Sequence, residues 1–251
     1  MAELWKTDVH HFESLGSTNT SLVADAGSGL PAGTVYVADF QTAGRGRRDR
    51  TWEAPPKSSL LCSVLLRPTI QLAEAHLATI AMALSARAAV GSATGLTPML
   101  KWPNDLLFND AKFGGILAEV AAPFADRPGE LALVVGIGIN LTFSGPPESV
   151  ATSLLKATGA TIDRDGFLSL LLEELGPRQS QLNTAEGRAD LLGEYESVLS
   201  TLGREVRVEL TDSMVTGQAK SIGPSGELGV EIDGVVRFFH AGDVVHLRPT
   251  M

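Results

Sequence analysis

From Gly44 to Trp52 the chain reads Gly-Arg-Gly-Arg-Arg-Asp-Arg-Thr-Trp. Four arginines against one aspartate leave residues 44–50 at +3, inside a chain whose formal net charge is −9. Glycines alternate with the first arginines, so backbone N–H groups and guanidinium forks can converge on one small volume. That is a way to hold several anionic oxygens at once. Alone, such a run reads equally well as a solvated turn. Trp52 adds a ring that could stack on a base or close over a ligand, with burial in the core as the plainer alternative.

Three further clusters carry comparable chemistry. Lys101-Trp102-Pro103-Asn104-Asp105 puts a lysine, an amide and a carboxylate at a strand end, because Pro103 holds Trp102 extended. Those groups suit a nucleotide phosphate, a divalent metal and a reacting anion together, or an ordinary turn. Lys112-Phe113-Gly114-Gly115 sets a lysine ahead of paired glycines, which permit close approach of a ligand or of another backbone. Gly136-Ile137-Gly138-Ile139-Asn140 resembles half a dinucleotide fingerprint. It lacks the third glycine and the following helix, so a buried strand with close backbone contacts fits better. Ser17-Thr18-Asn19 is a helix N-cap signal whose hydroxyls and amide could also bind a polar head group.

The elements that must position these groups are legible in outline. Thr34 to Phe40, Ser59 to Leu66, Lys112 to Val120 and Leu131 to Ile139 read as strands, the last two joined by a turn at Asp126-Arg127-Pro128-Gly129. Residues 71–90, Phe167 to Leu175 and 187–201 read as helices, with Gly176-Pro177 expected to end or kink the second. After Gly203 short alternating strands recur, parted by turn signals such as Asp233-Gly234. This predicts an α+β fold, with residues 1–202 as one domain and residues 203–251 as a small β-barrel of five strands.

Composition narrows the class. At 251 residues and 44% hydrophobic content the chain can bury a large core. Its acid surplus argues against non-specific nucleic-acid binding. The longest apolar runs are broken by Gly, Arg or Glu, and residues 1–11 lack a signal pattern, so no membrane partner is expected. The one cysteine, Cys62, lies in an apolar strand and reads as a buried thiol of a cytoplasmic protein. The five histidines show no zinc-ligand spacing.

Taken together and in this order, the clusters resemble the biotin protein ligase family. The match covers Ser17 to about Leu155, and the terminal β-module also suits the family. The resemblance implies a mixed sheet flanked by helices, of class II synthetase type, with an SH3-like barrel. It implies that biotin and MgATP give biotinyl-5′-adenylate, and that a lysine of a biotin carboxyl carrier domain then receives the biotin. Some members carry an N-terminal DNA-binding domain; with Ser-Thr-Asn already at residue 17, the monofunctional type is expected. A homodimer is compatible with the resemblance.

By the same resemblance, Ser17, Thr18, Asn19, Gln41, Arg45, Gly46, Arg47, Lys112 and Gly115 would contact biotin. Arg47, Arg50, Trp52, Lys101, Asn104, Asp105 and Asn140 would serve the adenylate, with Asp105 a candidate Mg²⁺ ligand. Lys112, Arg47 and Lys101 would be catalytic. Asp49 departs from the glycine common there in the family, and a local ion pair with Arg48 or Arg50 is one expectation. Competing readings are a lipoate or octanoate ligase or transferase of related fold, a nucleic-acid module built on the arginines and the barrel, and a non-catalytic ligand sensor.

Overall fold

The computed structural model describes residues 5–121, 131–146, 149–210, 212–240 and 242–247. Its centre is a seven-stranded mixed sheet of β1 (Asp8–Phe12), β2 (Thr34–Ala38), β3 (Ser59–Leu66), β4 (Met99–Lys101), β5 (Asp105–Phe108), β6 (Ala111–Ala121) and β7 (Ala132–Asn140). The strand order is β1-β2-β3-β7-β6-β5-β4, with only the β1–β2 pair parallel. The predicted turn at Asp126 to Gly129 falls outside the described residues.

Side-chain alternation decides what each face does. On β7, Leu133, Val135, Ile137 and Ile139 enter the main core. The core lies against α2 (His76–Thr94), α4 (Arg164–Gln181) and α5 (Ala185–Val198). The intervening Val134 joins a smaller cluster with Leu22 of α1 (Thr18–Asp25). Gly136 and Gly138 therefore face the side of the sheet that α1 only partly covers. A short helix α3 (Leu154–Thr158) follows β7.

Residues 72–94 are long and apolar enough by composition to span a bilayer, but most of that stretch is buried inside the protein as its central helix. The second predicted helix does not end at Gly176-Pro177; α4 continues to Gln181. Gly176 has no Cβ to clash with the Pro177 ring, which removes part of the usual pre-proline penalty. The same missing Cβ lets the Trp5 ring pack there, since an added carbon would lie 3.2 Å from it.

The C-terminal module contains β8 (Glu205–Glu209), β9 (Met214–Ile222), β10 (Leu228–Ile232), β11 (Val235–Phe239) and β12 (Asp243–His246). Asp233 and Gly234 turn β10 into β11 with φ of 51° and 78°, as an Asp-Gly hairpin requires. The five strands form an antiparallel sheet ordered β11-β10-β9-β8-β12. Among the described residues β11 and β12 remain unpaired edges, so the expected barrel is an open sheet. The module docks through Trp102, whose buried Nε1 donates to the Gly226 carbonyl at 2.9 Å.

Candidate active site

A cavity of about 280 Å³ opens on the α1 side of the central sheet and reaches the C-terminal module. Segments distant in sequence line it: the start of α1, Gln41 with the glycine-arginine loop, Leu61 and Cys62 of β3, the β4–β5 turn with β6, β7, and Glu209 and Asp243 of the C-terminal module. Ser17, Thr18, Asn19, Gln41, Arg45, Gly46, Arg47, Arg50, Trp52, Lys101, Asn104, Asp105, Lys112 and Gly115 all meet there. Asn140 does not line it. Its buried amide donates to the Thr152 carbonyl at 3.0 Å, fastening the end of β7 to the next segment.

One wall is polar but uncharged. Ser17 adopts extended backbone before α1, and its hydroxyl caps the helix weakly, at 3.5 Å from the Thr20 amide. Thr18 donates its backbone N–H to Gln41 Oε1 at 2.7 Å. The Ser63 hydroxyl lies 2.7 Å from Thr18 Oγ1 and 2.6 Å from Asn19 Oδ1. Such a wall matches a neutral ligand head rich in donors and acceptors.

The opposite end is charged. Lys112 Nζ lies 2.6 Å from Asp105 Oδ1 and 5.7 Å from the centre of a Trp52 ring. Lys101 is half-buried, and burial pulls its pKa below the usual lysine value despite the nearby Asp105. Burial likewise pulls Arg47 down, opposed by Asp243 and Asp105; a guanidinium remains cationic throughout. Asn104 accepts from Arg47 at 3.3 Å and donates to the Ile116 carbonyl at 2.7 Å.

The glycines act as landing places. A Cβ on Gly138 would sit 2.6 Å from the Trp52 indole, and one on Gly136 only 2.1 Å from Asn19 Oδ1. A Cβ on Gly115 would meet both Lys112 and Trp52, at 3.1 and 3.2 Å. Gly115 and Gly138 are register partners across β6 and β7, so the indole lies flat over a bare patch of backbone. Trp52 thus belongs to the cavity floor.

The loop itself is a tight turn. Gly46 and Arg50 are joined by an N–H to carbonyl bond of 2.6 Å, and Trp52 N donates to Gly44 O at 3.0 Å. Arg48 and Asp49 take left-handed φ of 54° and 58°, which Asp tolerates well. The arginines pair with Asp243 of the C-terminal module. Arg48 and Arg47 approach it at 3.6 and 3.7 Å, and Arg50 bonds it directly. Arg48 also donates to the carbonyls of Glu209 and Leu210, each at 2.8 Å. Arg47, Arg48 and Arg50 thus find their acid in Asp243 rather than in Asp49.

Asp243, Ser63 and Glu119 were not singled out by sequence reasoning. Asp243 reads only as part of a Gly-Asp turn. Ser63 is one polar residue in an apolar strand. Glu119 had a signal: it lies two and four positions beyond Leu117 and Gly115, on the same strand face. Cys62 is buried, and burial pushes its thiol up to about 12, in line with a structural role.

Comparison with known proteins identifies the family. The family model for the biotin/lipoate A/B protein ligases matches residues 11–140. A biotin–[acetyl-CoA-carboxylase] ligase of Mycobacterium tuberculosis is 39% identical over 242 residues, covering 93% of this chain and 86% of that protein. The bifunctional ligase/repressor BirA of Escherichia coli is 31% identical, covering 92% of this chain and 71% of its own length. Among solved structures, a biotin protein ligase from Aquifex aeolicus in complex with biotin and ATP superposes with a TM-score of 0.82. It has 28% identity and covers 97% of this chain and 100% of that one. The chain belongs to the biotin/lipoate A/B protein ligase family.

Proposed function

We propose that this chain is a biotin protein ligase, which activates biotin with ATP and transfers it to a lysine of a biotin carboxyl carrier domain. The observation that carries the reading is the polarity of one cavity. A neutral hydrogen-bonding wall around Thr18, Asn19 and Gln41 faces a cationic end around Lys112, Lys101 and Arg47. Biotin has the same polarity: an uncharged ureido head and a carboxylate tail.

The first step joins two anions. A carboxylate oxygen of biotin attacks the α-phosphorus of ATP; the bond to the β-phosphate oxygen breaks and pyrophosphate leaves. Lys112 holds the attacking carboxylate, and Lys101 with Arg47 and Arg50 holds charge as it moves onto pyrophosphate. Fixed cations of this kind act without reorganising during the reaction. In the second step the carrier lysine attacks the acyl carbon of the adenylate, loses a proton, and expels AMP.

Among the described residues no cluster of three or more His, Cys, Asp or Glu could cage a metal. Mg²⁺ usually binds through one or two carboxylates plus substrate phosphates, and Asp105 at the cavity wall fits that pattern. The ion would neutralise phosphate charge when bound, with Asp105 shared between it and Lys112.

The test is pyrophosphate release that requires biotin and ATP together, followed by labelling of a carrier domain. Titration with biotin and with lipoate separates the two branches of the family. Tighter binding of lipoate, or release without biotin, would overturn the reading.

A further inference from the structure

Glu119 lies on β6 with each carboxylate oxygen engaged by a different segment. Oε2 accepts from Asn19 Nδ2 at 2.9 Å, and Oε1 accepts from Arg45 at 2.8 Å. Asn19 stands in the first turn of α1, whereas Arg45 stands on the glycine-arginine loop. One acid thus bridges the fixed wall of the cavity and the loop that covers it.

The bridge also helps fix which way the Asn19 amide points. Asn19 Nδ2 has a second contact, to the Leu117 carbonyl at 3.0 Å. A carboxylate and a carbonyl only accept, so both must face the amide nitrogen. Oδ1 is then turned to the Ser63 hydroxyl at 2.6 Å. Ser63 has one hydrogen to share between Asn19 Oδ1 and Thr18 Oγ1, while the Thr18 hydroxyl donates to Gln41 Oε1 at 3.1 Å. Glu119 and the Leu117 carbonyl together thus set the Asn19 amide and, through it, the acceptor that faces Ser63. Gly136 leaves room for it, because any Cβ there would strike Asn19 Oδ1.

We propose that Glu119 is a positioning residue for the ligase reaction. It helps fix the donor and acceptor pattern of the biotin wall through Asn19 and holds the loop against that wall through Arg45. The assignment rests on the biotin-ligase reading of the cavity. Glu119 touches no reacting atom, so it acts on capture of the neutral head group and leaves the phosphate end alone.

Glu119→Gln tests this. The amide replaces one acceptor oxygen by a donor, so either Asn19 or Arg45 faces a donor in place of its acceptor. The dissociation constant and KM for biotin should rise about tenfold, the usual scale for losing a hydrogen bond to a charged group. The KM for ATP and the thermal midpoint should stay at the unsubstituted values. Arg45→Met cuts the same bridge from the exposed loop. Glu119→Gln added to Arg45→Met should cost less than it does alone, as expected for residues acting through one contact. Unchanged biotin affinity in Glu119→Gln would overturn the proposal. So would equal losses for biotin and ATP with a lowered midpoint, or fully additive effects in the double variant. An unsubstituted protein that fails to bind biotin would sink the functional reading itself, and this proposal with it.

Discussion

Lys112 and Asp105 form an ion pair of 2.6 Å across adjacent strands, at the bulge where the register of β5 against β6 shifts. Lysine and aspartate here are not a surface couple, since both side chains are mostly covered. The pair keeps an ammonium at the one end of the cavity where a substrate carboxylate can reach it. Replacing Lys112 leaves Asp105 facing an anionic substrate without its paired ammonium.

Lys112→Ala should therefore lower kcat for biotin-dependent pyrophosphate release by about 10²–10³, or roughly 2.7–4 kcal/mol of barrier. The fold should persist, because the side chain is a cavity lining and not core. Single-turnover adenylate formation measures it, and a near-normal rate would remove Lys112 from the chemistry.

Gly138→Ala and Gly136→Ala probe the landing places. The added methyl would sit 2.6 Å from Trp52 or 2.1 Å from Asn19, so either side chain must move. Overpacking of this kind costs about 1–3 kcal/mol, and biotin affinity should fall along with the thermal midpoint. Gly193→Ala is the control: its position in α5 has open space around it. It should be neutral or stabilise by about 0.4–1 kcal/mol.

Asp243→Asn should loosen the loop. Three arginines share that carboxylate, and Arg50 is largely exposed, so the effect is well below the sum of three pairs. A loss of about 1 kcal/mol corresponds to roughly fivefold more of the open form. Trypsin should cut between Arg45 and Arg50 faster by that factor, and biotin should slow the cutting. Identical cleavage of both proteins would show that the C-terminal module does not restrain the loop.

The buried His76 makes stability depend on pH. Burial, helped by Arg47 and His240, lowers its pKa from 6.5 to about 4. Burial lowers His246 to about 4 as well, with Lys101 and Arg204 acting in the same direction. Between those values the unfolded chain binds protons that the folded chain excludes. Stability is therefore full above the unfolded value and falls as pH drops from about 6.5 toward 4. His76→Phe keeps a ring beside Trp102, 6.2 Å away in an edge-on contact, and removes one titrating group. Its thermal midpoint should decline less than that of the unsubstituted protein over this range.

Legibility differed by element for physical reasons. β3 matches its predicted span, Ser59 to Leu66, because both its faces are buried and the run is continuously apolar. β1 went unseen: it is an edge strand, mostly exposed, with two histidines and no alternation to betray it. Gly176-Pro177, expected to end or kink its helix, does not end it, because the turn rule weighs the pair alone whereas the Trp5 ring and the absent Cβ let the helix run on. Asn140 was grouped with the site by its motif, yet its amide is used to anchor the segment at Thr152. Asp243 gave no motif, since a lone acid in a turn is ordinary, and Glu119 gave only its place on the strand face of Gly115 and Leu117.

Residue types and order alone determined which chemistry the chain could perform. The cations, the glycine pairs and the Ser-Thr-Asn start are local features, and local features survive in a linear reading. Tertiary structure decided the partners of each group: Asp105 for Lys112, Asp243 for three arginines, Glu119 for Asn19 and Arg45. Those pairings join segments far apart in the chain. They exist only because strand register and module docking bring them within hydrogen-bond range, where charge and desolvation set their strength.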